Sequence, residues 1–306
     1  MALEADLLLD RRRLKRRLIL WRTVSIGIAA VAVLIAVRGA GLAGGESGDR
    51  IARLPIAGII VEDRKLVEAI RAAGRDKHVK ALIVAIDSPG GTVAGGEALH
   101  RAIAYVAEKK PVVATMAGLG ASAGYMVAMP THRVFAREST VTGSIGVLME
   151  TGELSGLLAK LGIAADAIVS GPMKDQPSLT KPLTPAGRDM LQGIVQDMYD
   201  QFVAMVAAGR KMTPEAVRAL ADGRPYTGRQ ALKLGLIDAI GDEYDAKAWL
   251  EASKNVPSQL PVVDIATTGL AERMLTSQLS SALDGLWKTL ISQRVMLDLP
   301  WAVWQR

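Results

Sequence analysis

The chain of 306 residues contains no cysteine, and this absence removes several kinds of chemistry. No disulfide can staple the fold, no thiolate can bind zinc, and no cysteine can act as a nucleophile. Aromatic residues make up only 4% of the chain, whereas 50% of the residues are hydrophobic. The composition therefore predicts a globular core built from Val, Ile, Leu, Ala and Met. We expect no metal ion and no organic cofactor.

Net positive charge is concentrated at the N-terminus. Seven basic and three acidic residues among the first 22 account for +4 of the net charge of +6, and the basic ones cluster in the block DRRRLKRRLILWR at 10–22. A surface that binds nucleic acid spreads its basic residues along the groove it tracks. We therefore expect no nucleic-acid partner, and we interpret the block as a membrane topology signal.

An apolar run follows the basic block. Residues 18–37, LILWRTVSIGIAAVAVLIAV, hold a single charge at Arg22, and a helix of this length spans roughly 30 Å. The run predicts a transmembrane anchor over 18–38, with 1–17 in the cytoplasm and 39–50 as a linker. A cleaved signal peptide is the alternative, but the run is longer than the usual core of one. The rest of the chain is then expected on the outer side of a bacterial-type inner membrane.

From residue 51 onwards, strand and helix patterns alternate. The apolar segments 51–61, 79–87 and 111–117 predict buried strands, and the segments 63–76, 95–109 and 121–130 predict helices. Strands that are apolar on both faces and alternate with helices are typical of βαβ units. We therefore predict an α/β fold with a mostly parallel sheet. Right-handed crossovers would place the loops after its strands at one edge.

Two loops at that edge are candidates for chemistry. The first is DSPGG at 87–91, which predicts a Pro-Gly-Gly turn with uncovered N–H groups. The second carries Ser122 between a strand and a short helix. Each loop by itself has an ordinary explanation as a βα turn or a close helix contact. Together, the N–H of Gly90 or Gly91 and that of Ala123 predict an oxyanion hole beside the Ser122 hydroxyl.

A serine nucleophile needs a base, and the chain has only three histidines. His78 and His100 are in positions typical of solvated side chains, and His132 opens a predicted strand, so none is a strong candidate. A lysine can replace histidine if its surroundings lower its pKa towards neutrality. Lys174 and Lys181 lie in the Gly- and Pro-rich segment 171–184. From the residues alone, both remain candidates for the general base.

Five motifs occur in one order, and together they resemble the signal peptide peptidase A family in its short, single-domain, membrane-anchored form. The motifs are DSPGG, ASAGY, TVTGSIGV, GPMKDQPSLTKPLT and DGRPYTGRQALKLGLID. The resemblance covers about residues 51–250. It implies a serine peptidase with a crotonase-like ββα superhelix, related to the Clp protease. It also implies peptide substrates and a homo-octamer in which neighbouring protomers help complete each active site.

The resemblance assigns roles to individual residues. It implies that Ser122 is the nucleophile, Lys174 the general base, and Ser144 the residue that orients the lysine, with Gly90 or Gly91 in the oxyanion hole. One departure is visible, since the chain has Ser-Ala-Gly-Tyr where the family commonly has Ser-Gly-Gly-Tyr. The methyl group of Ala123 leaves its N–H available, and we expect it to narrow the adjacent pocket.

The sequence thus predicts a peptidase domain at 51–255 and a C-terminal helical extension at 256–306, with an amphipathic pattern over 274–296. The predicted function is that of a membrane-anchored serine endopeptidase that degrades cleaved signal peptides or other membrane-derived peptides. Two alternatives remain open. A crotonase-fold enzyme acting on acyl-CoA would also use paired backbone amides, and a non-catalytic membrane scaffold would need none of this chemistry.

Overall fold

A computed structural model describes residues 21–23, 25–27 and 48–265, and the chain divides into two compact units, Met1–Gly48 and Asp49–Arg306. In the first unit, 21–23 and 25–27 are helical and exposed. Most of the predicted anchor at 18–38, and all of the amphipathic pattern at 274–296, lie outside the described residues. Within the described ranges, no helix has the length and apolar character needed to cross a bilayer.

The second unit contains eight strands and eight helices in its described part. The strands are β1 (Arg50–Ile60), β2 (Val79–Gly91), β3 (Val112–Ala121), β4 (Arg133–Ala136), β5 (Val141–Gly143), β6 (Pro225–Thr227), β7 (Ala239–Ile240) and β8 (Val262–Asp264). The helices are α1 (Arg64–Arg75), α2 (Val93–Ala107), α3 (Ala123–Met126), α4 (Ser155–Lys160), α5 (Pro185–Arg210), α6 (Pro214–Arg218), α7 (Gly228–Lys233) and α8 (Glu243–Lys254).

All eight strands belong to one sheet, whose main path runs β6-β5-β3-β2-β1-β8. β3 pairs with β4 through Val113–Met116 and with β5 through Leu119–Ala121, and β4 also pairs with β7. Every pair is parallel except β5 with β6. The mostly parallel α/β sheet predicted from the sequence is confirmed. The carboxyl ends of β2 and β3 consequently lie side by side.

The sheet is buried on both faces around its centre. Leu82, Val84 and Ala114 are fully buried in a large cluster with α1, α2 and α3. On the opposite face, Ile83 and Val113 pack in a smaller cluster with side chains of α8. Burial on both faces explains why these strands are continuous apolar runs in the sequence rather than alternating ones. The packed sheet therefore fixes the positions of the residues at its carboxyl edge.

Several helices begin at a threonine whose side chain caps the first turn. Thr184, Thr213 and Thr227 each cap a helix, and Thr227 with Gln230 forms a capping box. The prediction of a turn at DSPGG was wrong, because 87–91 continues β2 beside β1. The register shifts between Ala57 and Ile59, so the two strands stay paired to their ends. The sheet also extends beyond the predicted domain boundary at 255, since β8 joins β1.

Candidate active site

Ser122 occupies a sharp turn between β3 and α3. Its backbone has φ 53° and ψ −123°, a combination that costs a non-glycine residue about 1–3 kcal/mol. The Ser122 N–H donates to the carbonyl of Gly143 at 2.9 Å, and its own carbonyl accepts from Tyr125 and Met126 of α3. These bonds hold the strained turn in place. The side chain is half-buried and lines a cavity, so the hydroxyl is presented rather than packed away.

The end of β2 lies directly against Ser122. A Cβ placed on Gly90 would come within 2.7 Å of the Ser122 Cβ and 3.1 Å of the Ala123 nitrogen. Gly90 also has φ 113°, so both its conformation and its surroundings require glycine. Its N–H already donates to the Ser88 hydroxyl at 3.1 Å. Gly90 therefore packs against the serine but has no N–H to offer a substrate.

Gly91 is the better oxyanion donor of the two glycines. Thr92 N–H donates to the Ile60 carbonyl at 2.9 Å, and Ile60 pairs with Gly91 in the ladder. The Gly91 N–H consequently points away from β1, and the pairing of β2 with β3 has already ended at Ser88 and Gly120. On the other side, Ala123 begins α3, where the first N–H groups have no intrahelical acceptor. Gly91 and Ala123 thus provide the two candidate N–H donors.

The cavity beside Ser122 measures about 760 Å³. Gly91, Ser122 and Ser144 all line it, so three of the residues singled out in the sequence meet there. A second wall is formed by one face of α5 and by residues 221–223. The apolar part of the lining consists of Val93, Val147, Leu148, Val195 and Ala221, together with the ring of Tyr199. A concave site of this size with a partly apolar lining is typical of a ligand-binding site.

The methyl group of Ala123 does not narrow this cavity, which corrects the expectation from the sequence. Ala123 is 2% exposed and is not a lining residue. Its Cβ points to α2, where a Cβ on Gly96 would approach it to 3.0 Å. The departure from Ser-Gly-Gly-Tyr is therefore absorbed by a glycine on the neighbouring helix, and the wall beside Ser122 is unaffected.

The structure of the single chain does not place Lys174 in the cavity with Ser122. Lys174 is exposed in the loop 171–180, its N–H donates to the Gly171 carbonyl at 3.0 Å, and it does not line the cavity. Lys181 is also outside the cavity and pairs with Asp175 at 3.1 Å and Asp166 at 3.4 Å. The hydrogen bond to Asp175, with that to Asp166, raises the pKa of Lys181. An ammonium held in this way cannot accept a proton at neutral pH.

The three histidines also lie outside the cavity lining. His132 Nδ1 accepts from Val112 N–H at 3.1 Å, at the end of β3 opposite to Ser122, and His78 precedes β2 at the same far edge. His100 is half-buried on α2 rather than solvated as predicted, and burial lowers its pKa. No histidine lines the cavity in the described part of the chain. The described residues of one copy therefore place no histidine in this cavity beside Ser122.

Comparison with known proteins shows which family this chain belongs to. The sequence profile of Peptidase family S49 matches residues 104–257, which include Ser122, Ser144, Lys174 and the β5–β6 pair. The chain belongs to peptidase family S49. The Clp protease profile matches residues 61–142 of this S49 chain, in agreement with the Clp-protease-like α/β fold. The resemblance to the signal peptide peptidase A family predicted from the five motifs is confirmed, and the chain is a protease.

Relatives of this S49 protease cover most of its length. A Synechocystis sp. protein that carries the name of a protease is 39% identical over 245 residues, covering 78% of this chain and 88% of the relative. An Enterococcus faecium protein named for signal peptide peptidase SppA is 32% identical and covers 77% and 73%. The chloroplastic serine protease SPPA of Arabidopsis thaliana is 33% identical and covers 77% and 35%. The chain spans about a third of the length of this last relative.

Sequence reasoning missed two parts of the candidate site. Val195 and Tyr199 of α5 line the cavity, although the sequence analysis singled out neither of them as a site residue. Helical spacing of apolar residues indicates that a helix face is covered, but it does not identify what that face lies against. The carbonyl of Gly143, which accepts from Ser122, was also missed, although the motif TVTGSIGV contains it. Gly143 and Ser144 both have positive φ in the structure. In the sequence, only the glycine hints at such a backbone, because serine rarely adopts it.

Proposed function

We propose that this protein is a serine endopeptidase in which Ser122 is the nucleophile and Lys174 the general base. The observation that carries the proposal is the strained turn that presents Ser122 to a cavity of about 760 Å³ together with Ser144 and Gly91. A serine held at this energetic cost is typical of a functional position rather than of a packing residue. The choice of Lys174 as the base rests on its place in the motif GPMKDQPSLTKPLT, to which the family resemblance assigns that role.

In the proposed reaction, the Ser122 hydroxyl attacks a peptide carbonyl while the neutral Lys174 amine takes its proton. The N–H groups of Gly91 and Ala123 stabilise the resulting oxyanion, and the loss of one such donor costs on the order of 100-fold in rate. The protonated Lys174 then gives its proton to the leaving amine as the C–N bond breaks. The same lysine removes a proton from the water that hydrolyses the acyl-enzyme. Ser144 orients the lysine.

Lys174 is proposed to act on the Ser122 of a neighbouring copy. Its own protomer leaves it exposed and outside the cavity. The surrounding segment 148–179 also leaves large apolar side chains in solvent, including Leu157 at 55%, Leu161 at 64% and the fully exposed Ile168. A patch of this kind is typical of a surface that a second molecule covers. A homo-octamer, as the family resemblance implies, is the proposed assembly.

The proposed substrates are cleaved signal peptides and other membrane-derived peptides. The apolar side of the cavity, formed by Val93, Val147 and Val195 among others, suits aliphatic side chains. The basic block at 10–22 and the apolar run at 18–37 favour a single-pass anchor that leaves the N-terminus in the cytoplasm. The peptidase unit would then face the outer side of the inner membrane, beside its substrates.

Mixing two inactive variants tests the shared site. Full-length protein in detergent would carry either Ser122→Ala or Lys174→Ala, and each alone is expected to lose more than about 1,000-fold in kcat on a fluorogenic aliphatic peptide. If Ser122 and Lys174 come from different copies, a 1:1 mixture that is dissociated and reassembled recovers about a quarter of the parent sites. Recovery in the mixture supports the dyad and the assembly together.

The controls separate the possible failures. Lys181→Ala is expected to retain activity, because its ammonium is tied to Asp175 and Asp166. Activity that survives Lys174→Ala would transfer the base to another residue, and mixing without recovery would place both residues in one copy. If a fluorophosphonate fails to label Ser122 in the parent, the serine is not a nucleophile, and retention of the protein on a CoA resin would then favour an acyl-CoA enzyme.

A further inference from the structure

Both serines of the cavity depend on one glycine, Gly143 at the end of β5. Its carbonyl accepts the N–H of Ser122 at 2.9 Å, and Ser144 follows it directly in the chain. Gly143 has φ 75° and Ser144 has φ 48°, so two consecutive residues hold left-handed angles. Such a path persists only where surrounding groups enforce it.

Strand β6 supplies part of that enforcement through its backbone. It pairs with β5 in antiparallel register, with Thr142 opposite Tyr226 and Gly143 opposite Pro225. The Ser144 N–H donates to the Arg224 carbonyl at 3.1 Å. These bonds fix one side of the Gly143–Ser144 turn.

The ring of Tyr226 closes the other side. A Cβ on Gly143 would lie 2.7 Å from Tyr226 Cδ2 and 3.4 Å from Cε2, so the ring stands directly against the glycine backbone. The Tyr226 hydroxyl donates to the Leu220 carbonyl at 3.0 Å, just after α6. The half-buried side chain is thereby held at its backbone by the pairing of β6 with β5 and at its hydroxyl by Leu220.

We propose that Tyr226 is a positioning residue for the nucleophile. It does not line the cavity and does not touch a reacting atom. Its ring acts through Gly143, because any relaxation of that glycine would move the carbonyl that holds Ser122 and the backbone that carries Ser144. The inference deepens the proposed function and rests on the assignment of Ser122 as the nucleophile.

Three single substitutions in the full chain test the role. Tyr226→Leu removes the ring face and is expected to lower kcat, and the rate at which a fluorophosphonate labels Ser122, by about 10-fold or more with KM within about 3-fold. Tyr226→Phe keeps the ring and should restore both rates to within about 3-fold of the parent. Tyr105→Leu, a partly buried tyrosine on α2 outside the site, is the matched control and should lower the Tm without lowering kcat.

A double-mutant cycle keeps the proposal testable if Tyr226→Leu folds poorly. Gly143→Ala places its methyl group against the Tyr226 ring, so it should lower kcat strongly, and adding Tyr226→Leu should cost less than the product of the two single losses. Independent effects, or a Tyr226→Leu enzyme with lower Tm but unchanged kcat and labelling rate, would overturn the positioning role. A parent that is not labelled at Ser122 overturns the proposed function and the inference with it.

Discussion

Four non-glycine residues in the described part of the chain have positive φ, and they divide into two kinds. Lys211 and Asn255 follow α5 and α8 directly, where a left-handed residue is an ordinary way to end a helix. Ser122 and Ser144 end no helix, and both line the cavity. Their strain has no architectural explanation of the usual kind. We attribute it to the roles of the two serines in the proposed reaction.

Relief of that strain should be measurable at Ser122. Ser122→Gly and Ser122→Ala both remove the hydroxyl, but only glycine tolerates φ 53° with ψ −123°. We expect Ser122→Gly to have a free energy of unfolding about 1–2 kcal/mol higher than that of Ser122→Ala. Chemical denaturation of the two inactive variants measures the difference.

Ser139 provides the comparison, since it is exposed in a turn and lacks a positive φ. There, glycine should be no more stable than alanine, because it loses more backbone entropy on folding. Equal stabilities for the two Ser122 variants would show that the turn is not strained.

At the scale of elements, the position of α5 links the core to the site. A Cβ on Gly209, near the end of this helix, would lie 2.6 Å from the Met129 carbonyl, just after α3. The same helix contributes Val195 and Tyr199 to the cavity. The close approach of the two backbones therefore sets the distance between the cavity wall and the turn of Ser122.

Gly209→Ala should disturb both stability and catalysis. The added methyl group must displace backbone rather than a flexible side chain, so we expect a loss of about 1–3 kcal/mol in the free energy of unfolding. The cavity wall should shift with it and lower kcat/KM. Gly193→Ala on the same helix meets nothing within 4 Å and is expected to stabilise the protein by about 0.5–1 kcal/mol. If the two variants behave alike, the close contact with Met129 is not a constraint.

The sequence predicts elements well where the signal is local. Thr184 with Pro185 marks the start of α5, and the apolar run at 81–86 marks the buried centre of β2. The turn of Ser122 was predicted because a strand pattern ends and a helix pattern begins within a few residues. The contact between Tyr226 and Gly143 joins residues more than 80 positions apart, and no periodicity reports on it. Lys174 lies in a loop without periodicity, so its role comes from family resemblance and stays a prediction.

At the scale of the whole molecule, the segment 148–179 contrasts with the sheet. It contains one short helix, α4, none of whose residues is buried, and its leucines and isoleucines are largely exposed. The segment carries large apolar side chains, about half or more of whose surface stays exposed in one copy, among them Leu154, Leu157, Leu161, Ile163 and Ile168. The proposed assembly would bury this surface and would bring Lys174, which lies within it, to another molecule.

Charges introduced into this surface should dissociate the assembly. Leu157→Asp and Leu161→Asp would have to bury a carboxylate in the proposed interface, and each is expected to yield monomers or small oligomers by light scattering after gel filtration. Peptidase activity should fall in parallel, by about 100-fold or more, since the lysine would be lost from the site. Tyr244→Asp, at an 84% exposed position on α8, should change neither property. Variants that dissociate but keep full activity would contradict a site shared between copies.

The bond between Ser122 and Gly143 also sets an order of events during synthesis. Ser122 is synthesised before the residues that hold its turn. The Ser122 N–H bonds to Gly143 at the end of β5. β5 in turn pairs with β6 at Pro225–Thr227. A nascent chain that stops short of residue 227 has the proposed nucleophile without its support. We therefore expect the chain to stay inactive until about three quarters of it has been made, and truncated products of translation to lack the proposed peptidase activity.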